Sequence, residues 1–124
     1  MYIKLFESFE KNLLEFTENH LAYLMDDGFS IRIFDSYLYP QSSCKKISIG
    51  RLNGFTWEQI VDRFSPFIYM LNKEYRILEV VFYQSGGTQY QYDNNSDIKR
   101  LLEGGADQYL INKFYHMITI IVKE

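Results

Sequence analysis

Apolar residues recur at three- and four-residue spacing through the first quarter of the chain, at Phe9, Leu13, Leu14, Thr17, Leu21, Leu24 and Met25. That spacing marks one face of a helix and predicts one over residues 9–27. Ser8 is placed to cap its start, and Gly28 can take the left-handed conformation at its end. Asp26 and Asp27 fall in the last turn, where the helix dipole disfavours negative charge. The period then changes to two. Phe29, Ile31 and Ile33 alternate with Ser30, Arg32 and Phe34, and Ile47 and Ile49 alternate with Lys46, Ser48 and Gly50. Two strands are expected, at 29–39 and 45–52, joined by the loop 39–43 into a hairpin with one buried face.

Helical spacing returns after Thr56. Thr56-Trp57-Glu58-Gln59 fits a capping box, with Phe55 and Ile60 placed as a hydrophobic staple. Trp57, Ile60, Val61, Phe64, Ile68 and Leu71 form the apolar stripe. Pro66 removes an amide and clashes with the carbonyl four residues back, so a kink or break is expected near Asp62–Ser65. A second hairpin follows. Leu78, Val80 and Phe82 alternate with Glu79, Val81 and Tyr83, residues 85–88 supply a Gly-rich turn, and residues 88–93 return as a strand carrying Tyr90 and Tyr92. Residues 98–103 suit one or two helical turns closed by Gly104-Gly105. The segment 113–122 is apolar on both faces, as a central strand would be.

The expected order is therefore α-β-β-α-β-β-(short α)-β in a single α+β domain spanning residues 1–124. A mainly antiparallel sheet of four to five strands with two long helices on one face is the economical architecture. A permuted ferredoxin-like arrangement is compatible with this order, and Tyr2–Phe6 is a candidate edge strand. A chain of 124 residues fits one domain and is too short for two ordinary ones.

Composition narrows the functional classes. A net charge of −3 argues against coating nucleic acid by bulk charge, so nucleic acid is an unlikely partner. The single Cys44 excludes an internal disulfide framework and a Cys-rich zinc site. No basic region precedes a long apolar run, so neither a signal peptide nor a membrane span is expected, and the place of action is read as a reducing cytoplasm.

The opening carries a resemblance. Lys4-Leu5-Phe6-Glu7-Ser8-Phe9, followed by a helix ending Leu24-Met25-Asp26-Asp27-Gly28-Phe29, resembles small accessory proteins of tailed bacteriophages. Several of these begin with a Lys-x-Phe-Glu-x-Phe-type segment, then a helix, an acidic-Gly turn and a strand. The resemblance covers about 30 residues of this chain. It implies a phage origin and action in the host cytoplasm, and no chemistry. A segment of similar flavour targets some internal proteins into phage capsids, but the small-residue stretch and cleavage site of that role are missing.

Nothing in the residues points to an enzyme, and no catalytic residue, metal or cofactor is expected. His20 and His116 stand on different elements and lack the spacing of a zinc or two-histidine phosphodiesterase pair. His116 alternates with Ile118 and Ile120, which places it near the core. Asp93, Asn95 and Asp97 match the first ligands of a calcium loop, but Ile98 stands where the loop needs Gly and Gly104 where it needs Glu. Cys44 sits beside Lys45 and Lys46 with no acid–base pair. Gly86-Gly87 and Gly104-Gly105 lack the strand–loop–helix context of a phosphate loop.

The one excess is aromatic: eleven Tyr and ten Phe. Phe must fill much of the core, while Tyr suits half-buried sheets and interfaces. If helices cover the face of Phe29, Ile31, Ile33, Ile47, Ile49, Leu78, Val80 and Phe82, the residues between them point the other way. The binding surface expected on that open face comprises Arg32, Phe34, Lys46, Ser48 and Tyr83, with Tyr90 and Tyr92 from the second hairpin and Tyr115 from the last strand beside Met117 and Thr119. Such a face serves a non-catalytic phage accessory protein that binds, and inhibits, a host or defence factor. The alternative is a module that sequesters a nucleotide, stacking on Tyr beside Arg32, Lys46 or Arg51. An open sheet edge also predicts a homodimer, unless residues 97–112 fold back over the open face.

Overall fold

The computed structural model describes residues 2–36, 44–84, 89–92 and 113–124 and the single positions 87, 99 and 110, with side chains from residue 9 onward. The first helix is longer than its apolar stripe suggested. α1 spans Tyr2–His20 and α2 spans Ala22–Asp26, so Ser8 lies inside the helix rather than at its cap, and Tyr2–Phe6 is helical rather than an edge strand. Tyr2, Phe6 and Phe9 continue the helical spacing upstream, which accounts for both corrections. The interruption at Leu21 is slight: its backbone turns to φ −112° and ψ 21°, while its amide still donates to the Thr17 carbonyl at 2.9 Å. The buried Thr17 hydroxyl donates to the Leu13 carbonyl at 2.7 Å. Gly28 takes a φ of +90°, the left-handed conformation that ends the helix.

β1 (Ser30–Asp35) and β2 (Cys44–Thr56) form the first hairpin. β1 ends short of the expected 39, and 37–43, including the loop read from composition, lies outside the described residues. β2 runs past its expected end straight into α3 (Trp57–Glu74), and its last residue, Thr56, is the helix cap. The capping box is present in full: the Thr56 hydroxyl accepts from the Gln59 amide at 3.3 Å, and the Gln59 side chain accepts from the Thr56 amide at 2.9 Å. Phe55 and Ile60 are both buried, as a staple requires. Of the expected kink or break at Asp62–Ser65, the break does not occur: α3 is continuous through Pro66. Phe64 lies on one side of it and Phe67, Ile68 and Leu71 on the other, all fully buried. Losing one amide costs about 3 kcal/mol. Burying each such side chain gives back roughly 1.5–3 kcal/mol.

β3 (Arg76–Gln84), β4 (Gln89–Tyr92) and β5 (Phe114–Lys123) complete the sheet. Its order is β1-β2-β5-β3-β4, with every neighbouring pair antiparallel. β2 and β3 both oppose β5 between them and are joined by α3, which is a split β-α-β unit. With α1 leading into β1 beside β2, this is ferredoxin-like connectivity entered at its second helix, with β4 added at the β3 edge. The short helix expected at 98–103 lies outside the described residues except Lys99, which is helical.

The helices cover one face. Phe9, Leu13, Trp57, Ile60 and Phe64 share a single core with Ile47, Ile49, Val80, Phe82, Ile118 and Ile120. Phe82 is its aromatic hub, with ring centroids 5.8 Å from Trp57 and Phe64, 5.9 Å from Tyr92 and 5.5 Å from Tyr115. Much of the aromatic excess is therefore core. Leu78 does not belong to this face: the β3–β5 register skips it, and Ile77 packs in the core instead. Among the described residues, no helix is long and apolar enough to cross a membrane.

Candidate functional site on the helix-free sheet face

Two rows of side chains cross the sheet on the side away from the helices. One runs Arg32, Ser48, Thr119, Val81, Gln91, and the next runs Ser30, Gly50, Met117, Tyr83, Gln89. A third, at the other end, pairs Phe34 with Lys46, Ile121 and Glu79. The segment 97–112, weighed from sequence as a cover of this face, lies outside the described residues except for Lys99 and Leu110. Thr119, Val81 and Ile121 are buried on this face. Against them lies a depression of about 570 Å³, whose lining includes Thr119 together with Arg32, Phe34, Lys46, Ser48 and Tyr83. Five of the eight residues expected on this face are thus brought together.

The other three are not. Tyr92 and Tyr90 oppose Val80 and Phe82 in the β3–β4 register, so they share the helix-side face, Tyr92 in the core and Tyr90 packed against it. The Tyr90 hydroxyl and ring are both engaged by the Lys113 ammonium. Tyr115 is fully buried and donates its hydroxyl to the Leu110 carbonyl at 3.0 Å. Its expected position failed because strict alternation fails. Tyr83 pairs with Met117 and Gln84 with Tyr115, so His116 is an extra residue in β5. A bulge of this kind turns every side chain before it to the opposite face. The same bulge corrects the placing of His116, which is exposed and lines the depression instead of lying near the core.

Gly50 shapes the middle of the site. A Cβ there would stand 3.1 Å from the His116 carbonyl oxygen, a tight contact that a side chain could make only if β5 gave way by a few tenths of an ångström. The missing side chain also leaves the hollow open between Ser30 and Met117.

The face carries both signs of charge: Glu79 ends the row of Lys46 and accepts from the Gln91 side-chain amide at 2.6 Å, and the cations lie at the β1 side. Arg32 is exposed and Lys46 half-buried, and among the described residues neither has a hydrogen-bond, ion-pair or ring partner. Asp35, at the rim, is bound by the buried Lys45 ammonium from the neighbouring strand. Arg51, the third cation weighed from sequence, is occupied elsewhere. Its Nε donates to the Gly54 carbonyl at 2.8 Å, its Nη1 reaches the Asp27 carbonyl at the end of α2 at 3.5 Å, and it lies 5.0 Å over the Phe29 ring.

Other chemical candidates stay separate. His20 stacks on Phe16 at 4.2 Å, with a ring nitrogen 2.9 Å from the Phe16 carbonyl oxygen. Cys44 is a free, buried thiol. Among the described residues, no three His, Cys, Asp or Glu side chains gather as a metal would need. The Asp93, Asn95 and Asp97 loop lies outside them. Sequence reasoning missed His116, which is brought to this face by the bulge in β5, and did not single out Gly50, though the alternation with Lys46 and Ser48 already put it here. No family model, curated protein or solved structure matches the chain.

Proposed function

We propose that the chain is a non-catalytic binding protein that works through the helix-free face of its sheet. In this reading it is made by a tailed bacteriophage and binds, and inhibits, a host or defence factor in the host cytoplasm. The phage origin rests on the resemblance of its first 30 residues. The observation that carries the binding role is the pair of cations, Arg32 and Lys46, unpartnered among the described residues, on one concave surface with Phe34, Tyr83 and His116. In a chain of net charge −3, such a surface selects an occupant with negative charge and apolar or aromatic parts. A tagged copy drawn from host lysate tests this, with bound proteins and released small molecules both analysed. Arg32→Ala/Tyr83→Ala, folded by circular dichroism, should lose what the wild type retains. Equal retention by the two would contradict the proposal.

The second reading is a nucleotide-sequestering module. A depression of about 570 Å³ supports it, because small-molecule pockets span roughly 300–1,000 Å³. Either reading is compatible with a homodimer. β1 pairs only with β2 among the described residues, so its outer edge is open. Beside that edge, Leu14 of α1 and Ile31 and Ile33 of β1 line a groove of about 560 Å³. An open edge of this kind invites pairing with a second copy.

A further inference from the structure

We infer that the group held between Arg32 and Lys46 is a phosphoryl group carried on an aromatic small molecule the size of a nucleoside monophosphate. The inference rests on the reading of the helix-free face as the working surface and names what that surface takes.

Arg32 opposes Ser48, and Phe34 opposes Lys46, so Arg32 and Lys46 are diagonal neighbours on one face. Diagonal pairs stand about 7–8 Å apart at the backbone. Two long side chains at that separation can close on one tetrahedral anion, with the Ser48 hydroxyl between them as a further donor. Arginine offers a planar fork that matches two phosphoryl oxygens, and lysine a point charge. Lys46 is half-buried with no anionic partner among the described residues, so an anion arriving there displaces no existing ion pair.

The far side of the hollow suits a flat ring. The Tyr83 and His116 rings lie 6.4 Å apart, tilted by 50°, with Met117 opposite Tyr83 in the ladder. Tyr83 stands two strand spacings, about 10 Å, across from β2 and one ladder row, about 7 Å, along from Ser48, so roughly 12 Å separates it from Ser48 at the backbone. A nucleoside phosphate covers such a span, whereas inorganic phosphate reaches only the cations and a free nucleoside only the rings. Gly50 keeps the path between them clear.

The test is calorimetric titration of the full chain with the four 5′-ribonucleoside monophosphates, the matching nucleosides and inorganic phosphate. At least one monophosphate should bind, with its nucleoside and inorganic phosphate each weaker by about tenfold or more. Lys46→Gln and Tyr83→Ala should each weaken that binding by about tenfold, and Arg63→Ala, whose guanidinium lies over Tyr23 instead, should leave it unchanged. Three results would overturn the inference: no monophosphate binds, inorganic phosphate binds as tightly as the best monophosphate, or folded Lys46→Gln binds like the wild type. If it falls while Arg32→Ala/Tyr83→Ala still loses its lysate partner, the working face stands with a different occupant. If lysate capture is also unchanged, both fall.

Discussion

Tyr83 and His116 face each other across the β3–β5 ladder, with ring centroids 6.4 Å apart. His116 reaches that place as the extra residue of a β-bulge, and the same bulge turns Tyr115, its neighbour in sequence, into the core. One irregularity thus builds the aromatic wall of the hollow and seats a core ring. Tyr115 is fully buried against Phe55 and Phe82, with its hydroxyl on the Leu110 carbonyl. Tyr115→Ala should cost about 3–5 kcal/mol. Tyr115→Phe, which leaves that carbonyl without its donor, should cost about 1 kcal/mol. Urea denaturation measures both, and an unchanged midpoint for the Ala variant would contradict the core position.

The cap and the first turn of α3 make a second test. Thr56→Ala removes one half of the capping box and should cost about 1 kcal/mol. Trp57, 1 % exposed and packed on Phe64 and Phe82, should cost about 3–5 kcal/mol when cut to Ala. Native Trp57 fluorescence should resist acrylamide. Strong quenching would mean that the indole is exposed.

Alkaline pH probes the junction after α3. Burial first, then the Glu74 and Glu124 carboxylates, raises the Tyr75 phenol above 10.0. The unfolded chain therefore loses this proton at lower pH than the native one. The group's contribution to stability is present below pH 10 and is lost as pH rises through the higher native value. Tyr75→Phe should flatten the fall in stability above pH 10, and parallel profiles would rule this out.

Self-association is the fourth expectation. With β1 at the edge of the sheet and unpaired on its outer side among the described residues, sedimentation should find a dimer at tens of micromolar. A monomer under those conditions would remove the edge as an interface.

The fold was legible where local chemistry decides structure. The capping box at Thr56 and Gln59, the left-handed Gly28 and the alternation through Ile47 and Ile49 each act over a few residues and appear as read. Five residues of the face, Arg32, Phe34, Lys46, Ser48 and Tyr83, followed from that alternation. What escaped depends on register. Tyr90 and Tyr92 went to the core side because the β3–β4 pairing sets them opposite Phe82 and Val80, and a one-residue shift would have reversed them. Leu78 and His116 are bulge residues, and a bulge depends on partner strands far away in sequence, so no local period announces it. Pro66 does not break α3 for the opposite reason, since packing on both of its sides outweighs a strong local signal.

The central claim is that the helix-free concavity is where this protein binds. Ser48→Trp is its most direct test, because Ser48 sits half-buried on the floor between Arg32 and Thr119, and an indole there fills the hollow without touching the helix-side core. The measurement is retention of the wild-type occupant from host lysate, protein or small molecule, by the Ser48→Trp variant with its thermal midpoint checked. The account predicts a folded variant that retains none of it. A folded variant that retains the occupant as fully as the wild type would contradict the claim.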